Sequence, residues 1–436
     1  MPELRPFRGI VYNKEKVDIA KVATQPYDKI SPAMQEAYYR LDPHNFVRLI
    51  LNKTEPTDEP NNNRYTRAVS SFQSWLRDRV MVQDREPALY LYDQTFVSPG
   101  GQKKSRRGFV AVMRLEEFSK GGVFPHEKTL SKPKMDRYEL LRESNTNFEH
   151  IFMLYRDEGM KVNALLQSAP SDLLFEYEDE YRVSHRLSRI SHPKTVAEIC
   201  SLMRDKKLFI ADGHHRYEVS LNYRNYLHEK GLINNEHGAN FRMATFVDMN
   251  DAGLVILPTH RMLKNVAGYS LKRFLADASA YFEVTAVAAE KEHLCAKLLG
   301  QMERVAAAGR HAFGLYSEKT MHMLVLKEGV NLREIVAADK SDAVLKLDVS
   351  ILHLVLLERF LGIGAKNLEN EDNISYIRDA AEGVTGVDGG AYQATFFLNP
   401  TKIDEVRGVA QAGEKMPQKS TDFYPKMSSG LVVYKF

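Results

Sequence analysis

The sequence predicts a mixed α/β (α+β) fold carried by more than one domain. Short apolar runs bounded by glycine or proline alternate along the chain with segments whose apolar residues recur at helical spacing. The 436 residues exceed what a single core usually supports. Hydrophobic residues at 44% and charged residues at 27% are ordinary for a globular protein, so a disordered or fibrous chain is not expected.

Composition narrows the possible locations and partners. No apolar stretch reaches the roughly 18–20 residues that cross a bilayer, and the N-terminal residues lack the apolar segment of a secretory signal. Only Cys200 and Cys295 are present, so neither a disulfide framework nor a cysteine zinc site is expected. We therefore expect a cytoplasmic protein without a membrane partner. A net charge of +3 is too small to favour nucleic acid as a partner.

The N-terminal elements follow from local signals. Residues Arg5–Tyr12 predict a strand, and Ser31 followed by Pro32 predicts a capped helix start. Thr54–Asn63 is polar and predicts a loop, whereas Arg64–Val80 shows helical spacing of apolar residues.

A hairpin is predicted next, with strands at 88–92 and 107–112 around the turn Pro99–Gly101. Four cations follow this turn, and such a cluster usually marks a solvated hairpin tip: Lys103, Lys104, Arg106 and Arg107.

Further elements come later in the chain. They are a strand at 208–211 followed by a helix from His214, strands at 242–247 and 254–257, a hairpin at 311–326, and an apolar helix at 350–361 ended by Gly362. We place domain boundaries near residues 100 and 260, which gives segments 1–100, 101–260 and 261–436.

The junction at residue 212 carries the strongest chemical signal. An apolar strand that turns through glycine into a helix directs the helix's first N–H groups, and the positive end of its dipole, toward an anion. Glycine permits close backbone approach, and an arginine offers a donor fork that suits phosphate oxygens. We therefore predict a phosphate-binding loop formed by Asp212, Gly213, His214, His215 and Arg216.

Other interpretations of this junction stay open. Asp212 either caps the helix or holds a metal ion or a substrate amine, and the two histidines, about 100° apart around the axis, serve different partners. Alternatively, Asp212 is only a cap and the histidines only support the loop.

Residues Ile210–Glu218 resemble the signature of the domain of unknown function 1015 family, whose biochemistry is not established. The resemblance extends over nearly the whole chain through the segments 5–9, 25–28, 124–129, 133–137, 257–261 and 416–421.

The loop 212–216 is also similar to the phosphate-binding loop of the ParB/sulfiredoxin superfamily. This resemblance implies a ParB/sulfiredoxin-like nucleotide-binding core within 101–260, embedded in a larger multi-domain chain. Sulfiredoxin uses a cysteine in its loop, which this loop lacks, so sulfinic-acid repair is not expected. The loop of the ADP-dependent serine kinase also reads Asp-Gly-His-His-Arg. That kinase has an upstream Pro-His-Glu segment, similar to Pro125–Glu127, whose region supplies its base.

We assign roles to three groups of residues, of which the kinase resemblance itself implies the role of Glu127 as the base. Catalysis is assigned to Glu127, Asp212 and His215. Phosphate binding is assigned to the loop 212–216 together with Lys419, Ser420 and Thr421. Substrate binding is assigned to His126, Lys128 and Arg137. Glu127 is otherwise a surface carboxylate, and Met416–Lys426 is otherwise a C-terminal strap.

We therefore expect a phosphotransferase that uses ADP or ATP with Mg²⁺ and acts on serine or a similar hydroxylated metabolite. Its partners are the nucleotide and the small substrate, with a homodimer as an option. The alternatives are a nucleotide-binding regulatory protein or slow NTPase of the ParB type, and a scaffolding protein in which the loop is inherited but inactive.

Overall fold

The computed structural model describes residues 3–127, 131–336, 339–370 and 372–436. They form two compact units, and each is described by itself. The first unit comprises the described parts of 1–125, 129–255 and 423–436, and the second comprises those of 126–128 and 256–422. The units divide after residue 255, close to the boundary predicted near 260. The strands on either side of residue 100 pair along their length within the first unit, and the three predicted segments stay a prediction.

The described strands, numbered in chain order, have the following bounds: β1 Leu4–Arg5, β2 Ile10–Tyr12, β3 Met81–Gln83, β4 Leu89–Val97, β5 Lys103–Arg114, β6 Val123–Phe124, β7 Thr146–Asn147, β8 Ile151–Tyr155, β9 Asp172–Glu178, β10 Ser184–Ile190, β11 Leu208–Asp212, β12 Phe241–Asp248, β13 Val255–Leu257, β14 His260–Leu263, β15 Phe282–Val287, β16 Ala312–Ser317, β17 Thr320–Leu326, β18 Ile374–Ile377, β19 Ala394–Phe397, β20 Asp422–Tyr424 and β21 Tyr434–Lys435.

The described α-helices are α1 Ile19–Val22, α2 Pro32–Leu41, α3 Val47–Ile50, α4 Arg64–Arg77, α5 Ser131–Ser144, α6 Lys161–Ser168, α7 Pro193–Met203, α8 His214–Glu229, α9 Leu271–Ala278, α10 Lys291–Ala307, α11 Leu332–Ile335, α12 Asp342–Leu345, α13 Asp348–Ile351, α14 Ala365–Asn370, α15 Ala380–Asp388 and α16 Ile403–Gln411. A π-helix covers Leu352–Arg359, and short 3₁₀ turns cover 27–29, 118–120 and 238–240. The predicted mixed α/β class is confirmed. In the described part of the chain, no helix is both long enough and apolar enough to traverse a bilayer.

The first unit is built on a mixed sheet with the strand order β6-β11-β8-β12-β5-β4-β10-β9, and β1 also pairs with β5. Strands β6 and β8 run parallel to β11 and β12 respectively, while the other pairs are antiparallel. Apolar side chains from β8, β11 and β12 share one core cluster with Tyr217 and Leu221 of α8. This packing fixes the position at which β11 passes into α8.

The hairpin β4–β5 corrects the prediction of a solvated tip. Arg106 is buried, whereas Lys103 is exposed and Arg107 is partly buried against Asp93. The hairpin extends to Val97 and Lys103, so the predicted cations belong to the strand itself. Arg106 therefore faces the interior and not the solvent.

The second unit contains an antiparallel sheet with the order β15-β17-β16-β19-β14-β18. The hairpin predicted at 311–326 is confirmed as β16–β17. The apolar helix predicted at 350–361 is α13 followed by the π-helix, and Gly362 follows it with a φ of +69°. Its apolar side chains pack into the core cluster of this unit.

Candidate functional site

The predicted phosphate loop lies where β11 ends and α8 begins in the first unit. Residues 208–211 are buried between neighbouring strands, which pins the end of the strand. Gly213 occupies the N-cap position with a φ of +94°, in the left-handed region that favours glycine. The helix therefore starts without a capping side chain, and Asp212 does not act as the side-chain cap that was one interpretation of the sequence.

The carboxylate of Asp212 is instead held by two cations. Its Oδ2 accepts a hydrogen bond from Nη2 of Arg216 at 2.8 Å, and its Oδ1 lies 3.6 Å from Nζ of Lys426. Burial acts to raise the pKa of Asp212, but the charges of Lys426 and Arg216 outweigh it and hold the pKa well below its usual range. Asp212 is therefore ionised at neutral pH.

Arg216 is turned toward the interior. Its side chain is only 8% exposed, and Nη1 donates to the backbone oxygen of His150 at 2.6 Å. Burial acts to lower the pKa of Arg216, but the carboxylates of Glu149 and Asp212 raise it above its ordinary value. In this conformation the guanidinium braces the loop from within, and its direct contact with a phosphate stays a prediction.

Lys426, the second cation beside Asp212, belongs to the C-terminal segment 424–429. Side chains of β4 and β5 hold this segment through its backbone oxygens. Gln94 donates to the backbone oxygen of Lys426 at 2.9 Å. Arg106 donates to the backbone oxygens of Tyr424 at 3.2 Å and Pro425 at 2.6 Å. Sequence reasoning missed the role of Arg106. One signal in the sequence indicates this position. Alternate residues of a strand lie on the same face, so Arg106 shares a face with Gly108, Val110 and Val112.

The two histidines of the loop differ in their surroundings. His214 is buried, whereas His215 is partly exposed beside Gly213, which is also partly exposed. Burial lowers the pKa of His215 below its ordinary value. His215 is therefore mostly neutral at pH 7, the state in which an imidazole can accept a proton. The catalytic and phosphate-binding roles of these histidines stay predictions.

The residues predicted to join the site from the C-terminal region do meet the Pro-His-Glu segment, within the second unit. The backbone N–H of Lys419 donates to Oε1 of Glu127 at 3.0 Å, and Thr421 Oγ1 lies 2.9 Å from Nε2 of His126. Lys419 adopts a positive φ of 55°, and its backbone oxygen accepts from the buried Arg261 at 3.0 Å. The structure thus brings together two motifs nearly 300 residues apart in sequence.

The remaining predicted residues have different surroundings. Ser420 is buried and donates to the backbone oxygen of Pro417 at 2.5 Å. Lys128 lies outside the described residues. Arg137 belongs to the first unit, where it is buried over the ring of Tyr27 at 4.0 Å and bonded to Asp136. Substrate binding by these residues stays a prediction.

Mg²⁺ was predicted from the sequence as a cofactor, with no ligands assigned to it. Among the described residues, no group of three or more histidine, cysteine, aspartate or glutamate side chains is arranged to hold a metal ion. Asp212 has both oxygens next to cations, so it fits an ionic support of the loop better than an ion ligand. Mg²⁺ often enters nucleotide sites through the phosphates themselves, with few protein ligands.

His150 predicts a pH dependence of stability. It is buried, its Nε2 lies 3.0 Å from the backbone oxygen of Ser428, and burial lowers its pKa to about 4. A histidine in the unfolded chain has a pKa of about 6.5, so between these values the unfolded state binds more protons. Stability is therefore fully present above pH 6.5 and is lost as the pH falls to about 4, by about 3 kcal/mol from this group. Urea unfolding at pH 7 and pH 4.5 should show this loss, and His150→Gln should reduce it; an unchanged difference in the variant would contradict the assignment.

With this geometry established, comparison with known proteins identifies the family. A family model described as a protein of unknown function, DUF1015, matches residues 4–350, well over half of the chain. The chain belongs to the DUF1015 family. This confirms the family that the motif at 210–218 and its companion segments predicted, and no curated protein matches the DUF1015 chain significantly.

Several solved structures resemble the DUF1015 chain weakly. A conserved hypothetical protein from Pyrococcus furiosus is 15% identical, with 70% of this chain and 89% of that chain covered and a TM-score of 0.33. Free serine kinase in complex with AMP is 13% identical, with 69% and 83% covered and a TM-score of 0.33. SbnI with a C-terminal truncation, from Staphylococcus aureus, is 8% identical, with 70% and 81% covered and a TM-score of 0.33. Membership of the ParB/sulfiredoxin superfamily stays a prediction.

Proposed function

We propose that this DUF1015 protein binds a nucleotide polyphosphate at the loop 212–216 and transfers a phosphoryl group to a small hydroxylated metabolite such as serine. The observation that carries the proposal is the passage of β11 through the positive-φ Gly213 into a helix of sixteen residues. Such a junction concentrates backbone N–H groups and the positive end of a helix dipole at one point. The likeness of Asp212–Arg216 to the loop of a serine kinase supports the choice of phosphoryl transfer.

The charges around the loop fit this role. Asp212 is neutralised by Arg216 and Lys426, so the loop does not repel the phosphates of a nucleotide as an isolated carboxylate would. Phosphoryl transfer depends mainly on alignment and charge stabilisation and needs little covalent chemistry from the protein. ADP or ATP is the proposed donor, and Mg²⁺ would bind through its phosphates and screen their charge.

The reaction would form one P–O bond and break another. The hydroxyl oxygen of the acceptor attacks the terminal phosphorus of the nucleotide, the bond from that phosphorus to the bridging oxygen breaks, and the shortened nucleotide leaves. The hydroxyl proton passes to a carboxylate, the role that the kinase resemblance gives to Glu127.

The first test is a thermal-shift panel of ADP, ATP, CTP and GTP with MgCl₂. A nucleotide at about 100 times its dissociation constant stabilises the folded state by about 2.7 kcal/mol, which raises the melting temperature by several degrees. ADP or ATP should produce such a rise, followed by phosphoserine formation from L-serine detected by phosphorus NMR. No product across a panel of hydroxy acids and amino alcohols would refute the transferase.

A matched pair of variants tests the base. Glu127→Gln keeps an oxygen that accepts from the N–H of Lys419 but cannot take up a proton. Turnover should fall about 100-fold or more, while the nucleotide-induced thermal shift is retained. Glu158→Gln, at a side chain that is 80% exposed, should leave both unchanged. Equal turnover in the two variants would remove Glu127 from the mechanism.

A second candidate function is a nucleotide-binding regulator or slow NTPase without transferase activity. One observation favours it: the guanidinium of Arg216 is committed to Asp212 and to the backbone of His150. A nucleotide-induced thermal shift without any phosphorylated acceptor would support this candidate.

A further inference from the structure

A small cavity of about 30 Å³, partly open to solvent, lies in the first unit, and Arg216 of the phosphate loop is one of its lining residues. Its walls come from α5, the segment 146–149, α8 and β12, and the charged residues among them are Arg137, Glu149, Arg216 and Arg242. Three of these side chains carry a guanidinium, and each is less than 9% exposed. Buried arginines that share one cavity need negative partners, because each isolated buried charge is strongly destabilising.

Two of the three arginines have carboxylate partners of their own. Asp136 accepts from Arg137, and Asp212 from Arg216. Glu149 lies 3.6 Å from Nη1 of Arg137 and also accepts from the hydroxyl of Ser429 at 3.1 Å. Glu149 is the one carboxylate among the described residues that line the cavity. Arg242 is therefore the one of the three arginines without a carboxylate partner among the described residues.

Of the three arginines, Arg242 has the fewest hydrogen-bond and ion-pair partners among the described residues. Its Nη2 donates to the backbone oxygen of Glu149 at 2.5 Å, but its Nε is buried and has no hydrogen-bond partner in the described part of the chain. None of the described carboxylates lies within ion-pair distance of it. Burial, followed by the positive charge of Arg216, lowers the pKa of Arg242 to about 9. A negative ligand beside this guanidinium would accept a hydrogen bond from the Nε and would compensate the positive charge.

The size of the cavity limits what it can hold. One water needs roughly 10–15 Å³ of such space, so about 30 Å³ holds about two waters. The pocket is partly open to solvent, so an oxyanion can place its oxygens against the guanidiniums without being fully enclosed. Guanidinium groups bind oxyanions through paired N–H donors. They are also less strongly hydrated than the ammonium group of lysine, so arginine is the more suitable residue for a buried ion pair.

We propose that this cavity is a binding site for a small oxyanion of the size of phosphate, held chiefly by Arg242 and Arg137 and completed by Arg216. This goes beyond the proposed function: Arg137 of α5 and Arg242 of β12 lie outside the loop, and Arg216 is the one residue that both sites share. The bound anion would neutralise the buried guanidiniums and hold α5, α8 and β12 together.

The test uses the full-length protein in a phosphate-free buffer at pH 7.5. Sodium phosphate, sulfate and acetate are titrated at constant ionic strength maintained with NaCl, and binding is followed by calorimetry and thermal unfolding. Phosphate and sulfate should bind and raise the melting temperature above the NaCl reference. An equal response to NaCl alone would overturn the proposal. Binding of acetate but not of phosphate or sulfate would overturn the tetrahedral choice.

Variants locate the site. Arg242→Met should weaken phosphate binding by about tenfold or more, since a charge-assisted hydrogen bond is lost, and Arg242→Lys should weaken it less. Arg142→Met is the matched control, because this arginine lies on α5 but is 48% exposed and pairs within its own helix. It should bind phosphate as the native protein does. Unchanged phosphate binding in a folded Arg242→Met would overturn the assignment.

A crystallographic experiment tests the site even if Arg242→Met does not fold. Native crystals soaked in selenate should show an anomalous selenium peak between Arg137 and Arg242, and a peak elsewhere or none would refute the site.

ADP titrations separate this proposal from the proposed function. Arg242→Met should still respond to ADP, and loss of phosphate binding with ADP binding intact supports the cavity independently. Phosphate binding in the native protein without any nucleotide response would refute the proposed function alone.

Discussion

Replacing Arg216 by methionine is expected to lower the free energy of unfolding by about 3 kcal/mol and to abolish nucleotide binding. The change removes the cation that donates to Asp212 and to the backbone of His150, and it leaves the buried Glu149 with less positive charge nearby. Removing one partner from a buried ionic network costs more than the network contributes in total, because the remaining charges lose their compensation. We take the lower end of the usual range because the side chain of Asp212 is 26% exposed.

The measurement is urea unfolding followed by tryptophan fluorescence. Trp75 is the single tryptophan of the chain and is buried in α4 of the first unit, so its signal reports on the unit that contains Arg216. Arg142→Met, at an exposed arginine, should change the free energy of unfolding by less than about 1 kcal/mol. Arg216→Met with native stability and an unchanged response to ADP would favour the scaffolding alternative.

Replacing Gly213 by alanine is expected to cost about 2–3 kcal/mol and to weaken nucleotide binding. The φ of +94° disfavours any L side chain, and an added Cβ would lie 3.1 Å from Nε and Nη2 of Arg216. The guanidinium would have to move, and its bond to Asp212 would weaken. The substitution therefore disturbs the loop twice, through backbone strain and through the displaced arginine.

Gly231→Ala supplies the control for backbone strain. Gly231 follows α8, has a φ of +68°, and has no atom within 4 Å of the position of an added Cβ. Both substitutions change the entropy of the unfolded chain equally, so the difference between them isolates the geometry of Gly213 and its contact with Arg216. Gly231→Ala should cost about 1 kcal/mol and leave nucleotide binding unaffected. An equal loss of unfolding free energy in the two variants would show that the contact with Arg216 does not affect stability.

Local signals identified much of the secondary structure. The cap at Ser31 was confirmed by a hydrogen bond from the N–H of Met34 to its hydroxyl, and the helix beginning at Arg64 by a capping box at Asn63. The junction at Gly213 was equally clear, because a buried apolar run followed by glycine and a helical pattern leaves few alternatives. These features depend on residues close together in the chain, so the sequence contains their causes.

Arg106 shows where local patterns mislead. Beside three other cations and after a turn, it predicted a solvated tip, yet its guanidinium is buried against backbone oxygens more than 300 residues later in the chain. The apolar helix predicted at 350–361 contains a π-helix at 352–359, and its apolar composition did not specify this winding. Neither the partner of a buried arginine nor the exact turn of a packed helix is encoded by nearby residues.

The sequence by itself determined the mixed α/β class, the family and the strand–glycine–helix junction at 212–216, because propensity, spacing and motif act over a few residues. Only the tertiary structure decided what surrounds that junction: Lys426 beside Asp212, Arg216 turned inward, and Arg242 facing a cavity with its Nε unsatisfied in the described chain. Burial and charge compensation depend on groups brought together from distant parts of the chain, and the free energy of each charge is fixed by those neighbours.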